Sequence, residues 1–320
     1  MGPWFGAIDC GGTKTAMALI AGDGRIGARL RFPTPERPAP EAFCDLLAER
    51  WRALLAQAGG VGGAVVAVGL AAPGPADAQT GVLHRVFDWP WQDVPLAAEL
   101  SARLGLPVRL DNDVRCCCLA ESRWGAARGV ADFVWVQIST GVGGALYLGG
   151  RPYGGAGGLA GEVGHLVLEE GGPLCRCGRR GCLQALVSGP AIAARFAATA
   201  GPAAPGDAAQ GDAAGVFAAA GRGDARAQAV VAGVARDLGR GLALVCNLLD
   251  PGLLVLGGGV MASLRTELPT VRAAMRDRVL LGATRQVTVV PSAVGYDAAL
   301  LGAGRLAALG PAGESGAGPA

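Results

Sequence analysis

The chain has 320 residues, enough for one large or two medium domains, and we expect two domains with a cleft. Its 28 basic and 26 acidic side chains leave a formal charge of +2 without a basic block, so nucleic acid is not an expected partner. The longest apolar runs, such as residues 241–249, fall far short of the ~20 residues of a membrane span, so we expect no membrane partner and a cytoplasmic protein.

The first predicted element is a β-hairpin over residues 4–20, WFGAIDCGGTKTAMALI, in which a Gly-Gly turn separates two apolar strands. Apolar residues at helical spacing then predict a helix over 41–58. A continuous apolar run over 64–72 predicts a buried strand. A second helix over 95–104 precedes the predicted strand PVRLDND, residues 107–113. Strands that alternate with helices in this way indicate an α/β sheet.

The pattern of the first hairpin returns over residues 133–150, FVWVQISTGVGGALYLGG, where a Thr-Gly-x-Gly-Gly turn is predicted between two strands. A long amphipathic helix, the turn Asp250-Pro251-Gly252, a strand and a third glycine turn at 257–259 follow. Residues 199–224 are rich in Ala, Gly and Asp and are expected to form surface loop and helix.

These elements predict an N-terminal α/β domain over residues 1–114, completed by a C-terminal helix at 297–309. A C-terminal α/β domain is expected over 115–296, and a disordered tail over 310–320.

The three glycine turns each lie at a strand end, with Thr13, Thr15 and Thr140 nearby and with Asp9 at the first turn. In a chain with 54 glycines, a single Gly pair is as readily a plain tight turn as a ligand site. Neither a P-loop nor G-x-G-x-x-G fits the residues. Backbone N–H groups freed by glycine can approach phosphate oxygens, and an acid beside them can hold Mg²⁺ directly or through water. The repeated hairpin therefore suggests a phosphate site gripped between two related domains.

Five motifs together resemble the ROK family of sugar kinases, which includes bacterial glucokinases and N-acetylhexosamine kinases: AIDCGGTKT, TGVGGA, GAGGLAGEVGH, CRCGRRGCLQ and LGGGV. The resemblance runs from about residue 5 to about residue 305. It implies an α/β fold of two actin-like ATPase (ribonuclease H-like) domains around a cleft. It also implies ATP-dependent transfer to the 6-hydroxyl of a hexose, with ATP and Mg²⁺ against the glycine turns and a structural Zn²⁺.

The resemblance implies that the nucleotide is bound by residues in and beside the glycine turns: Asp9, Gly11, Gly12, Thr13, Lys14, Thr140, Gly141, Gly143, Gly144 and Gly258. Lys14, the only lysine in the chain, is either a phosphate clamp or a solvated residue beside the first turn.

The segment GHLVLEEGGPLCRCGRRGC, residues 164–182, holds three of the nine cysteines and one of the two histidines. An odd number of cysteines makes a poor disulfide framework in a chain of this size, so we expect reduced thiols. A tetrahedral Cys₃His zinc site is closed and therefore structural, and four residues here suit it: His165, Cys175, Cys177 and Cys182. The alternative is a free-thiol loop with a core histidine.

Asp113 matches the catalytic Asp of the family, which accepts the hydroxyl proton, and Asn112 matches a sugar-hydroxyl ligand. From spacing alone, an Asx-rich turn that caps the next helix is an open alternative for these residues. Glu162 and the second ring nitrogen of His165 resemble the ligands for the hydroxyls at the anomeric end of the sugar. Gln184 occupies another substrate-binding position, where the family usually has Glu, and Gln brings no charge.

Two other departures are Arg115, where the NDAN motif of the family has a second Asn, and the stretch VFDWPWQDVP, which lacks Pro-Asn-Leu before its tryptophan. The departures bear on the identity of the sugar and leave the kinase expectation in place: a homodimeric hexose kinase with glucose as the substrate, and N-acetylmannosamine or N-acetylglucosamine as alternatives. A sugar-responsive repressor of this family would carry a helix-turn-helix ahead of the first glycine motif, which begins at Ala7, and we expect none. A non-catalytic sugar-binding regulator is the other alternative, and Asp113 argues against it.

Overall fold

The structure, a computed structural model, describes residues 2–59, 65–86, 89–199, 212–281 and 287–310. The described residues form two compact units, one within 1–129, 152–160 and from 296 onward, and the other within 130–151 and 161–295. Part of the low-complexity stretch, residues 200–211, and the tail from 311 that we predicted to be disordered lie outside the described residues. Among the residues described, no helix has both the length and the hydropathy to span a membrane.

The first unit is built on a five-stranded sheet with the order β3-β2-β1-β4-β8. The β1–β2 and β2–β3 pairs are antiparallel, and β4 is parallel to both β1 and β8. The strands and helices in chain order are β1 (Trp4–Cys10), β2 (Lys14–Ala21), β3 (Ile26–Pro33), α1 (Pro40–Gln57), β4 (Val65–Ala72), β5 (Ala76–Asp77), β6 (Val82–Arg85), β7 (Gln92–Val94), α2 (Leu96–Leu104), β8 (Val108–Asn112) and α3 (Asp113–Trp124). The predicted hairpin and both predicted helices of this part of the chain are observed.

The second unit repeats this topology in a five-stranded sheet with the order β11-β10-β9-β12-β13. Again an antiparallel hairpin, β9–β10, is followed by two strands that pair in parallel, β9 with β12 and β12 with β13. Its elements in chain order are β9 (Phe133–Ile138), β10 (Val142–Leu148), β11 (Arg151–Tyr153), α4 (Leu183–Val187), α5 (Gly189–Ala198), α6 (Ala213–Gly221), α7 (Ala225–Leu249), β12 (Leu253–Gly257), α8 (Gly259–Ser263), α9 (Leu268–Arg276) and β13 (Thr288–Pro291).

The last helix, α10 (Ala298–Ala308), returns to the first unit and packs on β1, β4 and α3. Two glycines make this close packing possible. A Cβ at Gly69 of β4 would overlap the carbonyl of Ala303, and a Cβ at Gly302 would overlap the carbonyl of Cys116. The helix therefore closes one face of the sheet at backbone contact distance.

Short tight turns, rather than long loops, bring the polar residues to the strand ends. The β1–β2 turn is closed by Gly11 N–H, which donates to the carbonyl of Lys14 at 2.9 Å. The corresponding turn between β9 and β10 is closed by Ser139 N–H, which donates to the carbonyl of Gly141 at 2.8 Å. Because β1, β4 and β8 are parallel, their carboxyl ends lie at one edge of the sheet, and this edge carries Asp9, the turn after β4 that contains Gly74, and Asn112.

Candidate active site and metal cluster

The first glycine turn is an exposed hairpin tip held from below by Thr34. The Thr34 hydroxyl donates to the carbonyl of Gly11 at 2.8 Å, and its N–H donates to the carbonyl of Thr13 at 3.0 Å. Thr15 is fully buried and shares a 2.8 Å hydrogen bond with Thr34, so its hydroxyl supports the turn from inside. Gly12 is exposed, and a Cβ there would meet nothing within 4 Å. The tip is thus rigid at its base and open to a ligand at its end.

Asp9 is the last residue but one of β1, just before this turn, and it is half-buried. Burial raises the pKa of its carboxyl group to about 7, and the carboxylate of Asp113 adds to the rise. Arg31 lowers that pKa, and Asp297 raises it further. Two carboxyl groups of the first unit are therefore electrostatic neighbours in a setting where a cation would stabilise the ionised form of both.

Asn112 and Asp113 lie at the junction of β8 and α3. The Asn112 side-chain oxygen accepts hydrogen bonds from the N–H groups of Val114 at 2.9 Å and Arg115 at 3.2 Å, which makes it the N-cap of α3. Its amide donates to the carbonyl of Gly74 at 3.1 Å. Asp113 is the first residue of α3, with a carboxylate oxygen 2.9 Å from Val114 N. The sequence alone left open whether these residues cap the next helix. The structure shows that Asn112 is the N-cap of α3.

The second glycine turn is shorter than the predicted Thr-Gly-x-Gly-Gly turn, because β10 begins at Val142 and takes in Gly143 and Gly144. A Cβ at Gly144 would press on the carbonyl of Gly161 and on Val163, so packing against that segment already requires glycine there. Thr140 and Gly141 remain at the tip. Gly258, the third turn, has φ +93°, and a Cβ on it would overlap the carbonyl of Ile138.

A cavity of about 480 Å³ in the second unit joins the second and third glycine turns. Thr140 lies on one side of it and Gly259 on another, and the remaining walls come from the first turn of α5 and from α6. The lining includes Ser139, Gly189, Pro190, Asp212, Phe217 and Val260. None of these six was expected from the sequence, because α6 lies in an Ala-rich stretch with little pattern and the walls come from segments far apart in the chain.

His165, Cys175, Cys177 and Cys182 form one cluster, with all four ligand atoms within 4.8 Å of one another. Cys175 Sγ lies 3.7 Å from His165 Nδ1, and Cys177 Sγ lies 3.7 Å from Cys182 Sγ. Zn–S bonds of ~2.3 Å in a tetrahedron give S–S edges of roughly 3.8 Å, so the donor set fits zinc. Burial raises the pKa of the Cys182 thiol to about 12, whereas the N–H of Arg179 lowers that of Cys177.

Tight turns hold the loop that carries these cysteines. Gly178 and Gly181 have φ values of +87° and +71°, which favour glycine. A Cβ at Gly181 would also overlap the carbonyl of Glu169. Two isolated β-bridges, Val167 with Cys182 and Leu174 with Arg180, fold the loop back on itself.

Glu162 and Gln184 flank this cluster in the second unit. His165 Nε2, the nitrogen not facing Cys175, lies 4.0 Å from Glu162 Oε2, and the Glu162 side chain is half exposed. Gln184 Oε1 accepts a 3.0 Å hydrogen bond from Val142 N–H, and its Nε2 lies 3.6 Å from Cys175 Sγ. Gln184 therefore connects the second glycine turn to the metal cluster, a contact that the sequence did not indicate.

The predicted site residues thus form two groups, one in each unit. Asp9, Gly11, Gly12, Thr13, Lys14, Asn112 and Asp113 lie on the first unit, and Lys14 is exposed at the start of β2. The second unit holds the cavity, the second and third glycine turns, Glu162, Gln184 and the metal cluster.

Comparison with known proteins finds similar sugar kinases, both by sequence and by structure. The chain is 36% identical over 312 residues to an N-acetylmannosamine kinase of Escherichia fergusonii, covering 94% of this chain and 97% of that one. It resembles the ROK hexokinase of Thermus thermophilus at 35% identity, TM-score 0.81, with 96% and 98% of the two chains covered.

A ROK family glucokinase from Streptomyces griseus, solved in complex with glucose and AMPPNP, matches at 30% identity with a TM-score of 0.81, covering 96% of this chain and all of that one. These solved kinases have the two-domain actin-like ATPase fold, which is also the fold of this chain. The ROK family model matches residues 5–309. A match over nearly the whole length shows that the chain belongs to the ROK family.

Proposed function

We propose that the protein is an ATP-dependent hexose kinase that phosphorylates the 6-hydroxyl of glucose. The observation that carries the proposal is the pair of carboxylates at one sheet edge, with Asp113 on the first turn of α3 and Asp9 at the end of β1. A phosphoryl transfer needs a base at the attacking hydroxyl and neutralisation of phosphate charge. The relatives named above, a hexokinase and a glucokinase among them, support this reaction class.

In the proposed reaction the Asp113 carboxylate accepts the proton of the sugar hydroxyl. The hydroxyl oxygen then forms a bond to the γ-phosphorus of ATP while the bond from that phosphorus to the β–γ bridging oxygen breaks, and ADP leaves. N–H groups at the tips of the glycine turns would bind phosphate oxygens, and Asp9 would hold a Mg²⁺ ion that neutralises phosphate charge. The helix N-terminus behind Asp113 stabilises its carboxylate before the proton arrives.

In this proposal the metal cluster positions the residues that bind the sugar. A zinc ion bound by the three cysteines and His165 Nδ1 would supply a closed structural site. His165 would then keep a single N–H, on Nε2, and this is the nitrogen that faces Glu162. Together the imidazole N–H and the Glu162 carboxylate offer one donor and one acceptor to adjacent sugar hydroxyls. Residues 165–184 are therefore proposed as one wall of the hexose site.

The test is a coupled assay of ATP consumption with glucose, mannose, fructose, N-acetylglucosamine and N-acetylmannosamine. We expect the highest kcat/KM with glucose. The identity to an N-acetylmannosamine kinase favours that amino sugar as the second candidate, and a higher kcat/KM with it would replace glucose. If calorimetry shows that a sugar binds, but the protein consumes no ATP with any of the five sugars, the protein is a sugar-binding regulator and the proposal is wrong.

A further inference from the structure

Arg115 is a buried guanidinium that contacts three separate segments of the first unit. Its residue is 5% exposed, and its partner Asp111 is 4% exposed. Arg115 Nε donates to Asp111 Oδ1 at 2.6 Å on β8. Its two terminal nitrogens donate to backbone carbonyls, one to Ala76 at 2.6 Å and one to Gly158 at 2.8 Å. The side chain is therefore a three-way connection between β8, β5 and the loop of residues 154–160.

A buried arginine at this position has a cost in the free energy of folding. Removing a guanidinium and a carboxylate from water costs free energy that their attraction only partly recovers, and an apolar pair often packs as stably. Burial is the main influence on Asp111, and it raises the pKa of that carboxyl group. The planar guanidinium does, however, give directed hydrogen bonds to several acceptors at once, which lysine cannot do. The observed contacts use that property for two backbone carbonyls as well as for Asp111.

The loop that Arg115 holds has little intrinsic stiffness. Four of its seven residues, GGAGGLA, are glycine. Gly155 and Gly158 have φ values of +73° and +71°, and Leu159 is 54% exposed. A backbone hydrogen bond from Ala160 N–H to the carbonyl of Gly154 at 2.9 Å closes the loop on itself. Glycine-rich segments have large conformational entropy, so an outside anchor decides where such a loop lies.

Arg115 and Asp113 share the first turn of α3, and Asn112, which caps that turn, also holds the carbonyl of Gly74. The anchor of the loop and the proposed base are therefore parts of one rigid structure. Beyond residue 160 the chain continues directly into Gly161 and Glu162, one of the predicted sugar ligands.

We propose that Arg115 is a positioning residue of the hexose site, which fixes the loop of residues 154–160 beside Asp113 and so sets the fit of the sugar. The inference rests on the proposed function, since it concerns the substrate of that reaction. Arg115 itself touches no reacting atom. Its loss would let the loop move by an ångström or more, and a substrate misplacement of ~1 Å can cost ~10² in rate.

The first test compares Arg115→Lys with Arg109→Lys. Arg109 is a matched control, because its guanidinium also donates to backbone carbonyls of the first unit, those of Leu306 and Ala307 in α10, and these described hydrogen bonds do not involve the loop. For Arg115→Lys we expect the KM for the sugar to rise roughly tenfold. The KM for ATP should stay within a factor of about two. Arg109→Lys should lower the melting temperature and leave both KM values unchanged.

Hydrogen exchange of the peptide that covers residues 154–160 gives a readout independent of catalysis. It should be faster in Arg115→Lys than in the wild type and unchanged in Arg109→Lys. Where Arg115→Lys fails to fold, the neutral pair Asp111→Asn with Arg115→Gln replaces it, because it keeps a polar contact without a buried unpaired charge. A folded variant with unaltered exchange, or with unaltered sugar KM, overturns the inference. A wild type that phosphorylates no hexose overturns the proposed function instead, while the exchange result still decides whether Arg115 holds the loop.

Discussion

The carboxylate of Asp113 raises the pKa of Asp9 in the first unit, although Asp9 lies on β1 and Asp113 is the first residue of α3. Both residues are half-buried, and burial is the first cause of the raised pKa of Asp9. Asp113 is the first residue of α3, at the N-terminus of that helix. The proposed reaction assigns proton acceptance to Asp113 and the cation to Asp9.

Asp113→Asn should reduce kcat by about 10² to 10⁴, the usual contribution of a general base, because the amide keeps the shape and loses the basicity. Calorimetric binding of sugar and of ATP should remain within a few-fold of the wild type. Asp45→Asn is a suitable control, since Asp45 is an exposed carboxylate whose partner is Arg103 on α2. A variant of Asp113 that keeps most of its kcat would show that another group accepts the proton.

Asp9 makes the stability of the protein depend on pH in a direction opposite to that of most carboxyl groups. Its pKa is about 7 in the folded protein against an ordinary value of 3.8, so the folded state binds the proton more tightly than the unfolded state. The free energy of unfolding should therefore fall as the pH rises from about 4 to about 7. The upper limit of this loss is on the order of 4 kcal/mol.

Asp9→Asn should accordingly be more stable than the wild type at pH 8 and should lose that advantage near pH 4. Urea unfolding in magnesium-free buffer at several pH values measures the difference. Asp77→Asn is the control, because hydrogen bonds from Thr80 and Gln79 lower the pKa of Asp77 and its effect should not change between pH 5 and pH 8. An advantage of Asp9→Asn that does not change with pH would contradict the assignment.

The two hairpin turns are the elements on which the phosphate assignment depends, and the first can be tested without disturbing the fold. Gly12 has no positive φ, and a Cβ on it meets nothing within 4 Å. Gly12→Ala should leave the melting temperature nearly unchanged and raise the KM for ATP by roughly tenfold, because the methyl group keeps phosphate away from the N–H groups. Gly22, at the other end of β2, is equally open and provides the control Gly22→Ala. Equal KM values in the two variants would remove the first turn from the nucleotide site.

The cysteine loop should depend on a metal for its order. We predict about one zinc ion per chain in the purified protein by mass spectrometric metal analysis. Cys177→Ser should lose the zinc, raise the KM of the sugar and lower kcat, while ATP binding is the least affected property, because the described lining of the cavity includes no residue of the metal cluster. Cys44→Ala, a buried cysteine of α1 outside the cluster, should keep its zinc. Fully active protein without zinc would return the cysteines to a free-thiol loop.

Elements with a strong local pattern could be predicted closely, as for α1, expected over 41–58 and observed over Pro40–Gln57. The Cys₃His cluster was also predictable, because its ligands are near in sequence and chemically distinctive. The cavity was not, since Thr140, Pro190 and Phe217 come from three segments that carry no common signal. Nor was the bond between Gln184 and Val142, because a side chain that reaches a backbone N–H 42 residues away leaves no trace in composition or spacing.

Across the whole molecule, the two units repeat one sheet topology, and the chain passes between them after residues 129, 151, 160 and 295. A hexose kinase must keep water from the γ-phosphoryl group, and closure on both ligands is the usual means. We predict a smaller radius of gyration by small-angle X-ray scattering when glucose and a non-hydrolysable ATP analogue are both bound. Ligand-free protein and each ligand alone are the controls. An unchanged radius with both sites occupied would contradict closure.

The tip of the first hairpin has a practical consequence for the chemistry of the entire molecule. Lys14 is the only lysine among 320 residues, and it is exposed at the start of β2. Apart from the α-amino group, the protein therefore offers one alkylamine to acylating reagents, since its other strongly basic side chains are arginines that stay protonated. Coupling a dye or a solid support by amide chemistry would then be nearly single-site. The label would be attached at the proposed phosphate turn, where it would report on the nucleotide and obstruct it at the same time.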